Sequence, residues 1–413
     1  MSSNSLLVGV DVHRKTNTIC FMNRDGQEVG QRFSVQNNHQ GTAALARAID
    51  TLATEEGYDA IQIAAEATGW YWWHFFQMLD QDTFLNQRPL ALYPFNPRLI
   101  ANFRKTYSDL DKTDLIDAFV IADRLRLGRD LPYPFSYDEP YTAVRLLTRH
   151  RFHLIHNLVR EKSYFLAHLY LKASEYTRLK PFSDTFGTTS RAMIRNYLSI
   201  EEIAAVPFDQ LVEIIDVKGK RRFADPEDNA RKLQAVATDS YPLPDALQHP
   251  VNLILRQSLQ HITHLEQQVK RTETAIAQSI QSIPHTLDSI PGIGPVFSAG
   301  IISEIGRLER FGYDQAKVAN FAGLKWRKTQ SADFEAEETR MTHKGNRYLR
   351  YYLCEAANSV RKRDAEYGAY YDRKYHEVRK HQHKRAIVLT ARKLVRLVVR
   401  LLTTNQPFQP RRP

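Results

Sequence analysis

The stretch LLVGVDVHRKT, residues 6–16, places Asp11 inside an apolar run. A short apolar run bounded by turn-forming residues is typical of a buried β-strand. A second such run, IQIAAEATG at residues 61–69, carries Glu66 close to its end. The two stretches therefore predict two buried strands, each with one carboxylate near the point where the strand ends.

A third segment, DKTDLIDAF at residues 111–119, has a helical pattern in which Asp114 and Asp117 share one helix face. Carboxylates that converge from separate elements repel each other unless a cation lies between them. Mg²⁺ is the usual cation, with Mn²⁺ as the alternative, and two such ions about 4 Å apart can hold both reacting oxygens of a phosphodiester. The four acids predict a metal site for phosphodiester chemistry. Lys112 either neutralises the phosphate or offsets the local acids.

The order of the predicted elements is three strands, a helix, a strand, a helix, a strand and a last helix over residues 111–127. This is the order of the ribonuclease-H-like (RuvC-like) α/β fold, which places acids on the first strand, the fourth strand and the last helix. A proline-rich linker around residues 132–140 follows. We therefore expect an N-terminal domain at residues 1–132.

The remaining chain is predicted to be mainly α-helical. Apolar residues recur at helical spacing over about 30 residues after the linker and again over residues 255–283. The two long helices predict either an antiparallel coiled coil or dimer stalk, or core packing within one chain. We expect a long-helix region at residues 138–284, with an insertion at about 180–250, and a C-terminal domain at residues 285–413.

Charge separates these parts of the chain. Residues 340–413 contain 19 Lys and Arg against 5 acidic residues, whereas the rest contains 38 against 41. A basic C-terminal part beside a carboxylate-rich domain favours binding to nucleic acid over a merely solvated helix face. Two cysteines exclude a disulfide framework, and no apolar run approaches membrane-spanning length. These features predict a soluble, cytoplasmic protein with no membrane partner.

Two motifs in the C-terminal part suit phosphate binding. PGIG, with Gly292 and Gly294, lies between two helical patterns and resembles a helix-hairpin-helix, whose backbone N–H groups approach a DNA phosphate. An ordinary tight turn is the alternative. The motif THKGNRYLR groups three basic side chains at helical spacing as a phosphate clamp, namely Lys344, Arg347 and Arg350.

Taken together and in this order, VGVDVHRKT, EATG, KTDLIDA, PGIGPV, GLKWRKTQS and KGNRYLR resemble the insertion-sequence transposases of the IS-one-ten type. These are also called DEDD transposases or bridge-RNA-guided recombinases. The resemblance covers roughly residues 5–170 and 285–360. It implies a RuvC-like domain, a coiled-coil region and a C-terminal transposase domain with a catalytic serine. It also implies that Asp11, Glu66, Asp114 and Asp117 are the metal ligands and that Ser331 is the nucleophile.

By the same resemblance, the tetrad positions the scissile phosphate, and Ser331 attacks it to leave a phosphoserine that conserves the bond energy for strand exchange. The partners implied are target and donor DNA, a structured non-coding guide RNA, and further copies of the chain in a homodimer or tetramer. The source implied is bacterial or archaeal.

Three other functions remain open from the residues. One is a RuvC-like nuclease or Holliday-junction resolvase that acts by metal-dependent hydrolysis, in which Ser331 has no role. The second is an ATPase of the sugar-kinase or actin type, although its phosphate and adenosine loops are absent from the sequence. The third is a catalytically inactive nucleic-acid-binding scaffold.

Overall fold

The computed structural model describes residues 4–196, 200–326, 330–331, 334–335, 341 and 344–410. The chain divides into two compact units, Met1–Glu139 and Pro140–Pro413. Among the described residues, no helix is both long and apolar enough to cross a membrane.

The first unit is a mixed β-sheet with helices packed on it, which confirms the predicted α/β class. Its strands and helices are β1 Ser5–Val12, β2 Thr16–Met22, β3 Phe33–Gln36, α1 His39–Glu55, β4 Ala60–Glu66, α2 Trp73–Asp80, β5 Leu90–Phe95, α3 Pro97–Arg104 and α4 Asp114–Arg126.

The sheet order is β3-β2-β1-β4-β5, with β1 in the centre. Strands β1, β2 and β3 are antiparallel neighbours, whereas β4 is parallel to both β1 and β5. Because β1 and β4 are parallel neighbours, their carboxyl ends lie at the same edge of the sheet. The residues that follow Val10 and its partner Ala65 are therefore brought together.

Side-chain alternation along β1 divides the core of this unit between the two faces of the sheet. Leu6, Val8 and Val10 pack in a cluster with residues of α1 and α2. Leu7 packs on the opposite face, in a cluster with residues of α4. Asp11 has the same parity as Leu7, so its side chain lies on the face that α4 covers.

Two helix boundaries differ from the predicted ones. The last helix of the unit begins at Asp114 rather than at residue 111, because the Thr113 side chain accepts a hydrogen bond from the Ile116 N–H and caps the helix. The aromatic-rich helix begins at Trp73, so Trp70 and Tyr71 precede it.

One helix, α3, was not predicted. Asn96 caps it by accepting from the Arg98 N–H, and Pro97 occupies its first turn, where the missing N–H costs nothing.

The second unit is almost entirely helical in its described part, as predicted. Its elements are α5 Glu139–Lys172, α6 Tyr176–Leu179, α7 Thr188–Asn196, α8 Ile200–Ala205, α9 Phe208–Lys218, α10 Pro226–Asp239, α11 Asp245–Ser279, α12 Pro295–Ile305, α13 Gln315–Phe321, β6 Gln330–Ser331, β7 Phe334–Glu335, α14 Arg347–Val360, α15 Ala365–His376 and α16 Gln382–Thr404.

The two long predicted helices are α5 and α11, and they pack antiparallel within the chain. Leu154 of α5 packs against Leu265 and Val269 of α11. The direction follows from the ion pairs, since Arg151 of α5 contacts Glu273 and a later α5 lysine contacts an earlier α11 glutamate. Residues of α7, α9 and α10, from the predicted insertion, share a core with the same two helices.

Candidate active site

The first two predicted acids lie at one edge of the sheet. Asp11 is the penultimate residue of β1 and Glu66 is the last residue of β4. Each directly follows a residue of the paired register, Val10 and Ala65 respectively. The parallel pairing of β1 and β4 therefore places both carboxylates at the carboxyl end of the sheet, as the sequence predicts.

Gly9 allows α4 to approach β1 closely enough to deliver the third acid. A Cβ atom at Gly9 would lie 2.2 Å from the Ala118 carbonyl oxygen and 2.4 Å from the Ala122 nitrogen. Real side chains do not tolerate such distances to backbone atoms. The absence of a side chain at residue 9 thus brings the N-terminal turn of α4, which begins at Asp114, toward Asp11.

We expect Gly9→Ala to destabilise the protein by roughly 1–3 kcal/mol, because the new methyl group must push α4 away from β1. Urea denaturation followed by circular dichroism measures this loss. The matched control is Gly294→Ala, where an added Cβ meets no atom within 4 Å and φ is −112°. Equal stability of the two variants would contradict the close-packing role of Gly9.

Asp11, His13 and Asp114 form a cluster in which the potential ligand atoms lie within 4.8 Å of one another. The His13 Nε2 atom is 3.0 Å from Asp11 Oδ2 and 3.4 Å from Asp114 Oδ1. Asp11 is buried, whereas the side chains of His13 and Asp114 are 51% and 60% exposed. The site is therefore anchored at its base and open to solvent on the outside.

The electrostatics of the cluster favour a bound cation. Burial raises the pKa of Asp11 above its ordinary value of 3.8, the protonated His13 side chain would lower it, and the Asp114 and Glu66 carboxylates raise it further. Glu66 itself accepts a hydrogen bond from the Thr68 hydroxyl at 2.7 Å. Burial therefore disfavours the ionised form of Asp11, and a bound cation would stabilise it.

Asp117 lies outside this cluster in the described structure. Its carboxylate pairs with the guanidinium of Arg104, which also donates to the Asp111 carbonyl oxygen at 2.6 Å. Arg104 is the last residue of the unpredicted helix α3. The structure therefore brings Asp11 and Asp114 together beside His13, and it places Glu66 at the same edge of the sheet, where its charge acts on Asp11. It couples Asp117 to a cation supplied by the protein.

Three residues that position this site were missed by the sequence prediction. His13 directly follows a strand, a place where a turn residue is as common as a ligand. Gly9 resembles any glycine in a strand, although a strand glycine can signal the close approach of another backbone. Arg104 had no visible signal without α3, but the Asn96–Pro97 pair is a helix-start pattern that would have revealed that helix.

Ser331 is the last residue of the short strand β6, which pairs with β7 in antiparallel register. The chain on either side is held by an antiparallel bridge between Trp326 and Met341. The predicted nucleophile therefore lies in a β-strand between the two partners of this bridge.

Two glycines lie just outside the Trp326–Met341 bridge, one on each side, and they allow the chain before and after it to approach closely. Gly323 and Gly345 both have positive φ, 72° and 109°, and a Cβ on Gly345 would lie 2.6 Å from the Gly323 nitrogen. The next residue, Asn346, donates its backbone N–H to the Phe321 carbonyl oxygen at 2.6 Å. The KGN part of the KGNRYLR motif thus fixes the base of the segment that carries Ser331.

A buried ion pair holds Asn346 in place. Glu304 is 2% exposed and accepts two hydrogen bonds from Arg149, at 2.6 and 2.8 Å. The side-chain NH₂ group of Asn346 donates to the same carboxylate at 2.7 Å. The side-chain oxygen of Asn346 caps α14 by accepting from two backbone N–H groups. This network connects α5, α12 and α14 beneath the predicted phosphate clamp.

The three clamp residues have different surroundings. Lys344 and Arg347 are exposed, and Arg347 lies over the Tyr348 ring at 4.8 Å. Arg350 donates to the Ala322 carbonyl oxygen at 3.1 Å, so it also stabilises the turn after α13. Lys112 is exposed, directly before the cap of α4.

The two PGIG glycines also differ. Gly292 has φ +95° and packs against Ser359, whose nearest atoms lie 3.0 Å from the position of an added Cβ. Gly294 is the N-cap of α12 and meets no such neighbour. The element before PGIG is a 3₁₀ turn, Leu287–Ser289. Close packing accounts for the glycine at residue 292, whereas no neighbouring atom restricts the side chain at residue 294.

Two family models match the chain. One, described as a DEDD-type transposase of IS110, matches residues 8–172, which include the acidic cluster. The other, described as "Transposase IS116/IS110/IS902 family", matches residues 284–372, which include Ser331. These matches define a transposase, an enzyme that cuts and joins DNA. The chain belongs to the IS110-type (IS-one-ten-type) family of insertion-sequence transposases.

A curated relative supports the same assignment. The chain is 26% identical over 326 residues, 76% of this chain and 77% of the relative, to the "Insertion element IS116 uncharacterized 44.8 kDa protein" of Streptomyces clavuligerus. The similarity therefore extends over most of both proteins.

Proposed function

We propose that this transposase is an RNA-guided recombinase that exchanges DNA strands through a covalent phosphoserine. The observation that carries the proposal is the cluster of Asp11, His13 and Asp114, with Glu66 at the same edge of the sheet. The serine part rests on the resemblance and on the paired strand that contains Ser331.

The topology of the first unit supports a ribonuclease-H-like domain. Its sheet order has three antiparallel strands followed by two parallel ones, with β1 in the centre. Acids lie on β1, on the fourth strand and at the start of the last helix of the unit.

The acidic cluster fits a divalent cation of the Mg²⁺ class, with Mn²⁺ as the alternative. Carboxylate oxygens are the ligands that both ions prefer, and a cation bound beside Asp11 would stabilise the carboxylate whose pKa burial raises. Asp11, Glu66 and Asp114 would hold the ion, and Asp117 would join them after its carboxylate leaves Arg104. Such an ion supplies Lewis-acid polarisation of the phosphate when bound.

The carboxylates and the serine have separate roles in the proposed reaction. The carboxylates of the cluster fix the position of the scissile phosphate. The Ser331 hydroxyl loses its proton, its oxygen bonds to phosphorus, and the leaving strand oxygen departs and takes up a proton. Reversal of this step by a second strand end restores a phosphodiester and frees the serine, so no outside energy source is needed.

The partners proposed are target DNA, donor DNA, a structured guide RNA and further copies of the chain. Support for nucleic acid comes from the excess of Lys and Arg after residue 340. Exposed Lys344 and Arg347 would contact phosphates, and Gly294 leaves the N-terminus of α12 open to one. Lys112, which is exposed two residues before Asp114, would contact another. As in the family, we propose that the acids and the serine of one site come from different subunits.

One alternative has structural support. The acidic cluster would serve equally for a metal-dependent nuclease that hydrolyses DNA, without any part for Ser331. Whether a protein–DNA bond forms during cleavage distinguishes the two functions.

Metal binding itself is tested by thermal unfolding. At an ion concentration about 100-fold above Kd, Mg²⁺ should stabilise the wild-type protein by about 2.7 kcal/mol, whereas Asp11→Asn should show little of this effect.

Without metal, the expected effect of Asp11→Asn on stability has the opposite sign. Because the pKa of Asp11 is raised in the folded state, its contribution to stability falls as pH rises from 3.8 through the folded pKa. At neutral pH in EDTA, Asp11→Asn should therefore unfold at a higher temperature than wild type. A variant that is destabilised in EDTA and still stabilised by Mg²⁺ would refute the assignment of Asp11 as a ligand.

A further inference from the structure

An aromatic groove lies on the first unit. It has a volume of about 910 Å³ and is bounded by the start of α1, by the loop after β4 and by α2. Its lining includes Arg14, Trp70, Tyr71, His74 and Gln77. Two of its lining residues, Trp70 and Tyr71, are exposed, so a ligand can enter the groove from solvent.

The aromatic residues of the loop are exposed, in contrast to those of the helix that follows. Trp70 and Tyr71 are 56% and 46% exposed, whereas Phe75 and Phe76 are 1% and 0% exposed. Core packing therefore accounts for the two phenylalanines and leaves Trp70 and Tyr71 unexplained. Large aromatic side chains held at the surface are typical of binding sites.

Asn37 connects this groove to the acidic cluster. Its side-chain amide donates to the His13 carbonyl oxygen at 2.8 Å and to the Tyr71 carbonyl oxygen at 3.1 Å. His13 is a member of the cluster, and the next residue, Arg14, lines the groove. One amide group therefore holds the aromatic loop and the turn of the acidic cluster together.

The chemistry of the groove fits one nucleotide. Aromatic faces stack on bases of any sequence, and an exposed guanidinium pairs with a phosphate. Side-chain amides such as that of Gln77 can both donate to and accept from the edge of an unpaired base. A duplex would hide that edge and the base faces, so the features of the groove select an unstacked nucleotide.

We propose that this groove receives an unpaired DNA nucleotide next to the bond that is cut. The proposal rests on the proposed function, because the acidic cluster beside the groove is where the scissile DNA phosphate would lie. Trp70 and Tyr71 hold the base, and Arg14 holds the adjoining phosphate. Strand separation at the cleavage site would thereby be stabilised by the protein, without sequence preference.

The probe is a single-stranded DNA oligonucleotide with one 2-aminopurine, a base whose fluorescence is quenched by stacking. Binding to the full-length chain is measured in EDTA, so that no strand is cut. We expect the quenching in the wild-type complex to be lost in the Trp70→Ala/Tyr71→Ala double variant. We also expect the Kd of the double variant to be about tenfold higher than that of the wild type. This comparison is made at elevated salt, because salt weakens the phosphate contacts elsewhere on the protein.

The controls separate stacking from folding and from general DNA binding. Trp70→Phe keeps an aromatic face and should keep most of the quenching, whereas Tyr241→Ala, at a residue 76% exposed in the second unit, should change neither quenching nor Kd. Thermal unfolding establishes that the double variant is folded.

Two results would overturn the proposal. One is unchanged quenching and affinity in the folded double variant. The other is stronger binding of RNA of the same sequence, with the same dependence on Trp70 and Tyr71, which would assign the groove to the guide. Failure of the metal-dependent function is seen separately, as strand cleavage that survives Asp11→Asn.

Discussion

Asp11→Asn is expected to reduce DNA strand cleavage by roughly 10³-fold or more while leaving DNA binding nearly unchanged. Metal-assisted polarisation is worth several kcal/mol, and each 1.4 kcal/mol corresponds to about a tenfold change in rate. The substitution keeps the size of the side chain and removes its charge. Cleavage of a labelled DNA strand under single-turnover conditions measures the rate, and fluorescence anisotropy in EDTA measures binding.

The position of Asp11 explains why its substitution should reduce cleavage more than substitution of any other acid. It is the buried acid at the base of the cluster, and it lies within the reach of His13, Asp114 and Glu66. Asp114 is exposed at the end of a helix and can be replaced in part by water as a ligand. Asp11 has no such substitute, because the strand beneath it is packed on both faces.

A matched control is Asp59→Asn. Asp59 is an exposed residue directly before β4, at the opposite end of the strand from Glu66. The same chemical change at that end should leave cleavage at the wild-type rate. Full cleavage by Asp11→Asn would instead exclude the metal role and favour a nucleic-acid-binding scaffold.

The sequence predicted the strand acids well for a physical reason. Apolar runs such as those around Asp11 and Glu66 are local signals, and the parallel pairing that joins them follows from the order of elements. Asp114 lies in the helix predicted for it, because helical spacing is a local property, although that helix begins three residues later than predicted. The contacts of Asp117 were not predictable in the same way. Its partner Arg104 comes from another helix, and only the folded chain decides which cation meets the carboxylate.

The C-terminal half shows the same division between local and long-range information. The periodicity of the two long helices predicted their existence, but both a stalk and intrachain packing were compatible with it. The structure shows their apolar stripes packed against each other, with helices from the predicted insertion around them. The Gly323–Gly345 contact had no sequence signal beyond two glycines 22 positions apart, since it depends on a close approach of two turns.

Ser331→Ala is expected to abolish the covalent protein–DNA adduct and strand exchange altogether. Alanine has no oxygen that can bond to phosphorus, so no residual nucleophile remains at this residue. The adduct is measured as DNA that migrates with the protein in a denaturing gel, and digestion followed by mass spectrometry locates it on the peptide that contains Ser331. DNA binding should be unchanged, because the substitution removes one hydroxyl group.

The control is Ser282→Ala, which removes an exposed hydroxyl group from the 3₁₀ turn after α11 in the same unit. It should form the adduct as wild type does. Undiminished strand cleavage by Ser331→Ala, with no adduct in either protein, would replace the recombinase mechanism by metal-dependent hydrolysis. Abundant adduct in Ser331→Ala would place the nucleophile on another residue.

The same two variants decide whether a site is shared between subunits. In a mixed dimer, one chain carries Asp11→Asn with an intact serine, and the other carries Ser331→Ala with intact acids. If each site combines the acids of one chain with the serine of its partner, one of the two sites in a mixed dimer is fully intact. With free exchange of subunits, a one-to-one mixture should then recover roughly a quarter of the wild-type sites, since half of the dimers are mixed. If acids and serine act within one chain, every site contains one defect, and the mixture stays as inactive as either variant alone.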